Sequence, residues 1–202
     1  YTYLDLKDYS SALQTFLDMK KKYQVDRYRS NSPEGTRTDT VLAHNRLRMP
    51  DELRYELKYQ TGNCYYLLGE YDEAIKALSE FVFYEKGNDM LDNAYYKLAD
   101  CFYESEDFLT ALQLYKSALA EYPNSKFSAH GLLYSGKSLR QMKMLDNAVE
   151  VLNQGLSQHH DGIYAERIKF EIGLCHLDDE NSKRAFAPDT ILLLRNTHKA
   201  DG

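Results

Sequence analysis

Tryptophan is absent from this chain of 202 residues, and so is any run of about 18 apolar residues such as a membrane-spanning helix needs. Apolar clusters such as Ile191 to Leu194 are far shorter than that. Basic charge is also in deficit: 25 Lys and Arg stand against 31 Asp and Glu, a formal charge of −6, which argues against a nucleic-acid partner that would need a basic face. The chain has no glycine-rich phosphate loop, no GxSxG elbow, no paired-carboxylate constellation, and neither HExxH nor CxxC spacing, so no nucleophile, base or cofactor site is visible and no enzyme is expected. It opens on Tyr1 without a signal-peptide pattern, which leaves cytoplasm and bacterial periplasm both open. What remains is a composition of 43% apolar and 28% charged residues, sufficient to bury a core.

The organising feature is a double register. Gly62, Ala99, Gly136 and Gly173 recur every 37 residues, and twelve positions after each stands an alanine: Ala74, Ala111, Ala148 and Ala185. Small residues at constant spacing mark places where paired helices touch. The clearest unit runs from Asp92 to Ser125. Tyr95, Leu98, Ala99 and Phe102 lie on one helical face, and Phe108, Ala111, Leu112, Tyr115, Ala118 and Leu119 on another. A short polar stretch from Glu104 to Asp107 separates them, and Pro123 ends the second helix because it has no amide hydrogen and clashes with the preceding turn. Eighteen tyrosines fall mostly within these helical faces, so packing is their first explanation.

This unit resembles a tetratricopeptide repeat, in Tyr95, Leu98, Ala99, Phe102, Ala111, Tyr115, Ala118 and Pro123. A second copy carries Gly62, Tyr65, Gly69, Tyr71, Ala74 and Leu78, with Phe81 and Lys86 in place of the usual Ala and Pro. A third carries Leu132, Gly136, Leu139, Leu145, Ala148 and Leu152, and a fourth keeps Ile172, Gly173 and Ala185 before running into Pro188. Upstream, Tyr3, Tyr9, Ala12 and Phe16 fit the end of another copy whose first helix would begin before residue 1. Ala12 lies 62 residues before Ala74, 25 more than one period, which implies an insertion. The resemblance therefore implies an all-α, right-handed solenoid of antiparallel helix pairs. Its divisions are a partial repeat at 1–24, an inserted basic loop at 25–50, repeats at 51–90, 91–127 and 128–164, an incomplete repeat at 165–187, and a tail at 188–202. The insertion carries Arg27, Arg29, Arg37, Arg46 and Arg48 against three acids, with helical spacing confined to Thr40–Leu47. It reads equally as a binding loop or a tolerated surface loop. A period of 37 rather than 34 implies slightly longer helices, a trait in which bacterial outer-membrane assembly and envelope-coordination lipoproteins with such repeats are similar.

Cys64, Cys101 and Cys175 each follow a small register residue by two positions, with Ser138 in the remaining copy. Helices packed at axis separations of about 8–10 Å place such positions beyond the roughly 7 Å between Cα atoms that a disulfide tolerates, so buried free thiols are expected. His159, His160 and Asp161, with His176 further on, read as a solvated inter-repeat turn rather than a metal cluster, and Asp178, Asp179 and Glu180 as the turn between helices.

The resemblance implies a concave groove lined by the first helices and made to hold a peptide or protein segment without catalysis. Carried over by position, its contact residues are Tyr59, Asn63 and Tyr66; Tyr96, Asp100 and Tyr103; Leu133, Lys137 and Arg140; and Phe170 with Leu174 and Leu177. Lys137 and Arg140 lie one turn apart and could clamp acidic groups, or be ordinary solvated charges. Asn63 and Lys137 match part of the carboxylate-holding pattern of some family members, without the full set. Tyr66 and Tyr103 could equally pack against a neighbouring repeat. The expected role is an adaptor or scaffold in a larger protein or assembly; the alternatives are a regulatory or carrier domain of an enzyme lying outside this chain, or self-association through Ile191–Leu194.

Overall fold

A computed structural model describes residues 8–23, 49–84 and 89–185, with side chains described as far as residue 180. All eight elements among the described residues are helices. The Thr40–Leu47 stretch of helical spacing, nearly all of the insertion and the tail beyond Pro188 lie outside the described residues.

The chain falls into two compact units, Tyr1–Glu106 and Asp107–Gly202. The first holds α1 (Tyr9–Tyr23), α2 (Asp51–Leu67), α3 (Tyr71–Tyr84) and α4 (Leu91–Glu104). The second holds α5 (Phe108–Glu121), α6 (Ser128–Gln141), α7 (Leu145–Gln158) and α8 (Gly162–Ala185). Within each unit every helix packs on the next, and the first helices of successive repeats also touch, α2 with α4 and α6 with α8.

Local chemistry sets the helix ends. Asp8 and Asp107 accept backbone N–H bonds from Ser11 and Thr110, each at 3.1 Å, capping α1 and α5. Acidic Asp51 and Glu52 open α2, and Lys20, Lys21 and Lys22 close α1, each complementing the helix dipole. The turns within pairs recur at the repeat period. Gly69, Glu106 and Lys143 all take positive φ, at 76°, 63° and 61°. The Glu70 and Met144 amides donate back to the Tyr65 and Leu139 carbonyls at 2.9 Å, completing the helix-ending turn.

Two of the three register glycines, Gly62 and Gly136, are contact points. A Cβ built on Gly62 would stand 2.7 Å from Leu78 Cγ, and one on Gly136 would stand 2.4 Å from Leu152 Cγ, closer than real side chains tolerate. Ala74, Ala99, Ala111 and Ala148 are fully buried. In the second unit the core joins Leu112, Leu133, Leu139, Ala148, Leu152, Ile168 and Cys175. In the first, Ala12 and Leu13 of α1 meet Cys64 of α2, while Met49 and Leu57 gather Phe16, Met19 and Tyr23 around them. Burial of each such large side chain contributes about 1.5–3 kcal/mol.

One expectation is corrected. Asp178–Glu180 is not a turn, because α8 continues unbroken from Gly162 to Ala185. The register successor of Gly69, Glu106 and Lys143 is Glu180. A second helix beyond it would place Pro188 where Ala77, Leu114 and Val151 stand, and Asp189 where Leu78, Tyr115 and Leu152 fill the core. Proline would interrupt the interior of such a helix.

Candidate functional site

In the first unit, the sequence-derived contact residues divide between core and surface. Tyr59 is buried, its ring 6.3 Å from that of Phe81 and tilted against it. Burial first, then the Asp100 charge, pushes its phenol well above the ordinary range, against an opposing hydrogen bond from Asn93. Tyr96 is buried too, and burial, aided by Asp92, raises its phenol to about 12. These two rings are spent on packing rather than offered to a groove. Their helical phase matches that of groove positions, but α2 and α4 lie close enough for the phase to turn inward at Tyr59. Asn63 is half-buried and donates to Gln60 Oε1 at 3.3 Å. Tyr66, half-buried, leans on Tyr71 with centroids 5.8 Å apart and lies 4.3 Å from the Lys97 ammonium. Lys97 also pairs with the buried carboxylate of Asp100 at 3.8 Å. Tyr103 is half-buried.

In the second unit the same positions do come together. Leu133, Tyr134, Lys137 and Arg140 of α6 face Glu166, Arg167, Phe170, Glu171 and Leu174 of α8 across a cleft of about 620 Å³. Phe170, which lines the cleft, is 68% exposed. Lys137 places its ammonium 4.5 Å from the centre of the Tyr134 ring. Leu177 stands further along α8 and is exposed.

Arg140 is committed internally. Its Nε donates to Glu171, a nearly buried carboxylate, and its Nη1 donates to Asp178 at 3.1 Å, where Lys143 also approaches to 3.6 Å. Burial opposes the Arg140 charge, but the hydrogen bonds and charges of Glu171 and Asp178 outweigh it and raise its pKa above the ordinary value. The expected Lys137–Arg140 clamp on an acidic ligand is therefore half-occupied by the protein's own carboxylates, and a charge reversal at Arg140 would strike the α6–α8 joint. Sequence spacing missed this because the partners lie 31 and 38 residues away and Asp178 is helical rather than in a turn. Two further residues were missed. Arg167 adds an exposed cation at the cleft, and His130 stacks on Tyr134 at 4.4 Å with Tyr115 and Tyr164 around it. Arg167 could have been found from its phase, one turn before Phe170 and Glu171.

Elsewhere the chemistry is quiet. Cys64, Cys101 and Cys175 are buried free thiols; burial raises Cys64 to about 11 and, with Asp100, Cys101 to about 12. His159 shares a 3.1 Å hydrogen bond with Ser128, and among the described residues no cluster of His, Cys, Asp and Glu is disposed to hold a metal. No helix among them is long and apolar enough to cross a membrane.

No curated protein matches the chain. The family model of the tetratricopeptide repeat matches residues 65–126, from the end of α2 through α5. Repeats of this family generally mediate protein–protein interaction and are typically non-catalytic scaffolds. That match on its central helices, together with all-helical units in which each helix packs on the next, supports a tetratricopeptide-family repeat protein.

Proposed function

We propose that this chain is an adaptor that holds an extended or helical segment of a partner protein in the cleft between α6 and α8. The observation that carries the reading is the cleft itself: about 620 Å³, lined by the exposed Phe170 and the buried Leu133, with the cations Lys137 and Arg167. An apolar side chain of the ligand would lie on the exposed Phe170, above the buried Leu133, where an aromatic anchor contributes most of the binding energy. A carboxylate beside it would meet Lys137 and Arg167, with Arg140 holding the two walls in place through Glu171. Tyr66, Asn63, Tyr103 and the buried Asp100 belong to the corresponding strip of the first unit, where Tyr59 and Tyr96 are packing residues.

The test is selection of binding peptides from a random display library on the intact chain, followed by titration of the selected peptides. Selected sequences should pair an apolar residue with Asp or Glu. Phe170→Ala, and separately Lys137→Glu with Arg167→Glu, should each weaken binding at least about tenfold, or roughly 1.4 kcal/mol. Unchanged affinity in both variants would move the site off this cleft.

A further inference from the structure

A second cleft of the second unit, of about 440 Å³, is lined by residues of α5, α6 and α7. At about 3.6 residues per turn, its α6 residues Ser128, Leu132 and Ser135 lie on the side of that helix away from Lys137 and Arg140. Connectivity orders its two ends. The chain turns between α5 and α6, which puts Pro123 and Ser128 at one end, and the 3.1 Å hydrogen bond of Ser128 with His159 brings the close of α7, and with it Gln158, to the same place. Seven residues along each helix from that end, Lys116, Ser135 and Val151 line the other. The ends are therefore about 10 Å apart at a helical rise of about 1.5 Å per residue. Leu119 and Leu132 supply apolar surface between them.

Ser135 is the residue of this cleft that repeat packing leaves unexplained. It is fully buried, and its hydroxyl has no hydrogen-bond partner. Hydroxyls on the other first helices return to the carbonyl four residues back: Thr61, at the same register position two periods earlier, donates to Leu57 at 2.7 Å, and Ser138 to Tyr134 at 2.8 Å. The other copies carry Leu98 and Ile172 at this position, so the repeat accepts an apolar side chain there and has no need of a hydroxyl. A buried hydroxyl without a partner is unfavourable, and an acceptor atom reaching it from the cleft would relieve that cost. Lys116, exposed on α5, brings a cation to the same end. A donor and a cation at one end of an apolar channel suit an anionic head on an apolar tail.

We infer that the cleft between α5 and α7 binds a small monocarboxylate with a linear apolar tail. The carboxylate accepts the Ser135 hydrogen bond and faces the Lys116 ammonium, and about 10 Å of tail runs past Leu119 and Leu132 toward Ser128. The site uses its own side of α6 and requires no peptide in the α6–α8 cleft. The probe is octanoate, titrated into the full chain by calorimetry and by backbone amide chemical shifts, with octanol and octylamine as uncharged and cationic counterparts. Octanoate should bind with a Kd of about 1 mM or tighter, shift the amides around Leu119, Leu132 and Val151, and bind at least about fivefold more tightly than either counterpart. Ser135→Ala should unfold at the same temperature or higher, since it removes an unpaired buried group, yet weaken octanoate at least about threefold. Lys116→Gln should weaken it similarly and leave octanol unaffected. Lys137→Glu with Arg167→Glu should leave octanoate affinity unchanged. Loss of octanoate in that last variant would place the carboxylate in the α6–α8 cleft and overturn the inference. No binding, equal binding of the three probes, or full affinity in Ser135→Ala and Lys116→Gln would also overturn it.

Discussion

Glu106 and Lys143 adopt a backbone conformation that suits glycine, and only the first of the three equivalent turns, at Gly69, has one. A left-handed φ costs a side-chain-bearing residue about 1 kcal/mol. Glu106→Gly should therefore raise stability by about 0.5–1 kcal/mol in urea denaturation, offset slightly by the greater freedom of glycine in the unfolded chain. A loss of stability would show that the turn is held differently. The thiols make a second prediction at this scale. The folded pKa values of Cys64 and Cys101, about 11 and about 12, lie above the ordinary value of 9. Protection is therefore complete below pH 9 and is lost as pH rises through 11 to 12. Alkylation at pH 8 should be slow in the folded chain and become rapid on alkaline unfolding; fast labelling at pH 8 would contradict the burial. The inert character of these cysteines was legible in the sequence, since their register placed them on packed faces. The backbone demand at Glu106 and Lys143 was not, because neither residue type announces a left-handed turn.

At the scale of elements, α6 and α8 are joined by a charged contact as well as an apolar one. Glu171 is almost wholly buried, and Arg140 is its partner. Arg140→Met leaves that carboxylate without its cation and should cost about 2–3 kcal/mol, the lower range for a pair whose arginine keeps some access to water. Adding Glu171→Leu should recover most of the loss. Equal instability in the single and double variants would show that the pair matters only as packed volume. The sequence displayed Arg140 as a surface charge one turn from Lys137, and helical spacing alone could give no more. Its partner Asp178 lies 38 residues further along the chain, on α8, where the chain is still helical rather than in a turn. Tyr59 and Tyr96 were misplaced for a similar reason: periodicity gives the phase of a side chain on its own helix, while the closeness of the next helix decides whether that phase is groove or core.

Over the whole molecule, the legible part is the repeat. Spacing of small residues predicted paired helices, and Gly62 on Leu78 and Gly136 on Leu152 are the contacts that spacing implied. The function beyond protein interaction was less legible, because a binding cleft is defined by which faces remain uncovered and only the packed structure shows that. The account depends on Gly62 and Gly136 being contact points between paired helices. Its most direct test is a double-mutant cycle at Gly136 and Leu152, measured by denaturant unfolding. At an open helical site, Gly→Ala adds up to about 1 kcal/mol of stability. Here Gly136→Ala should instead cost about 1–3 kcal/mol by overpacking, and this cost should largely vanish when Leu152→Ala has already removed the opposing side chain, giving a coupling of at least about 1 kcal/mol. A stabilising Gly136→Ala, or strictly additive effects of the two substitutions, would contradict the claim.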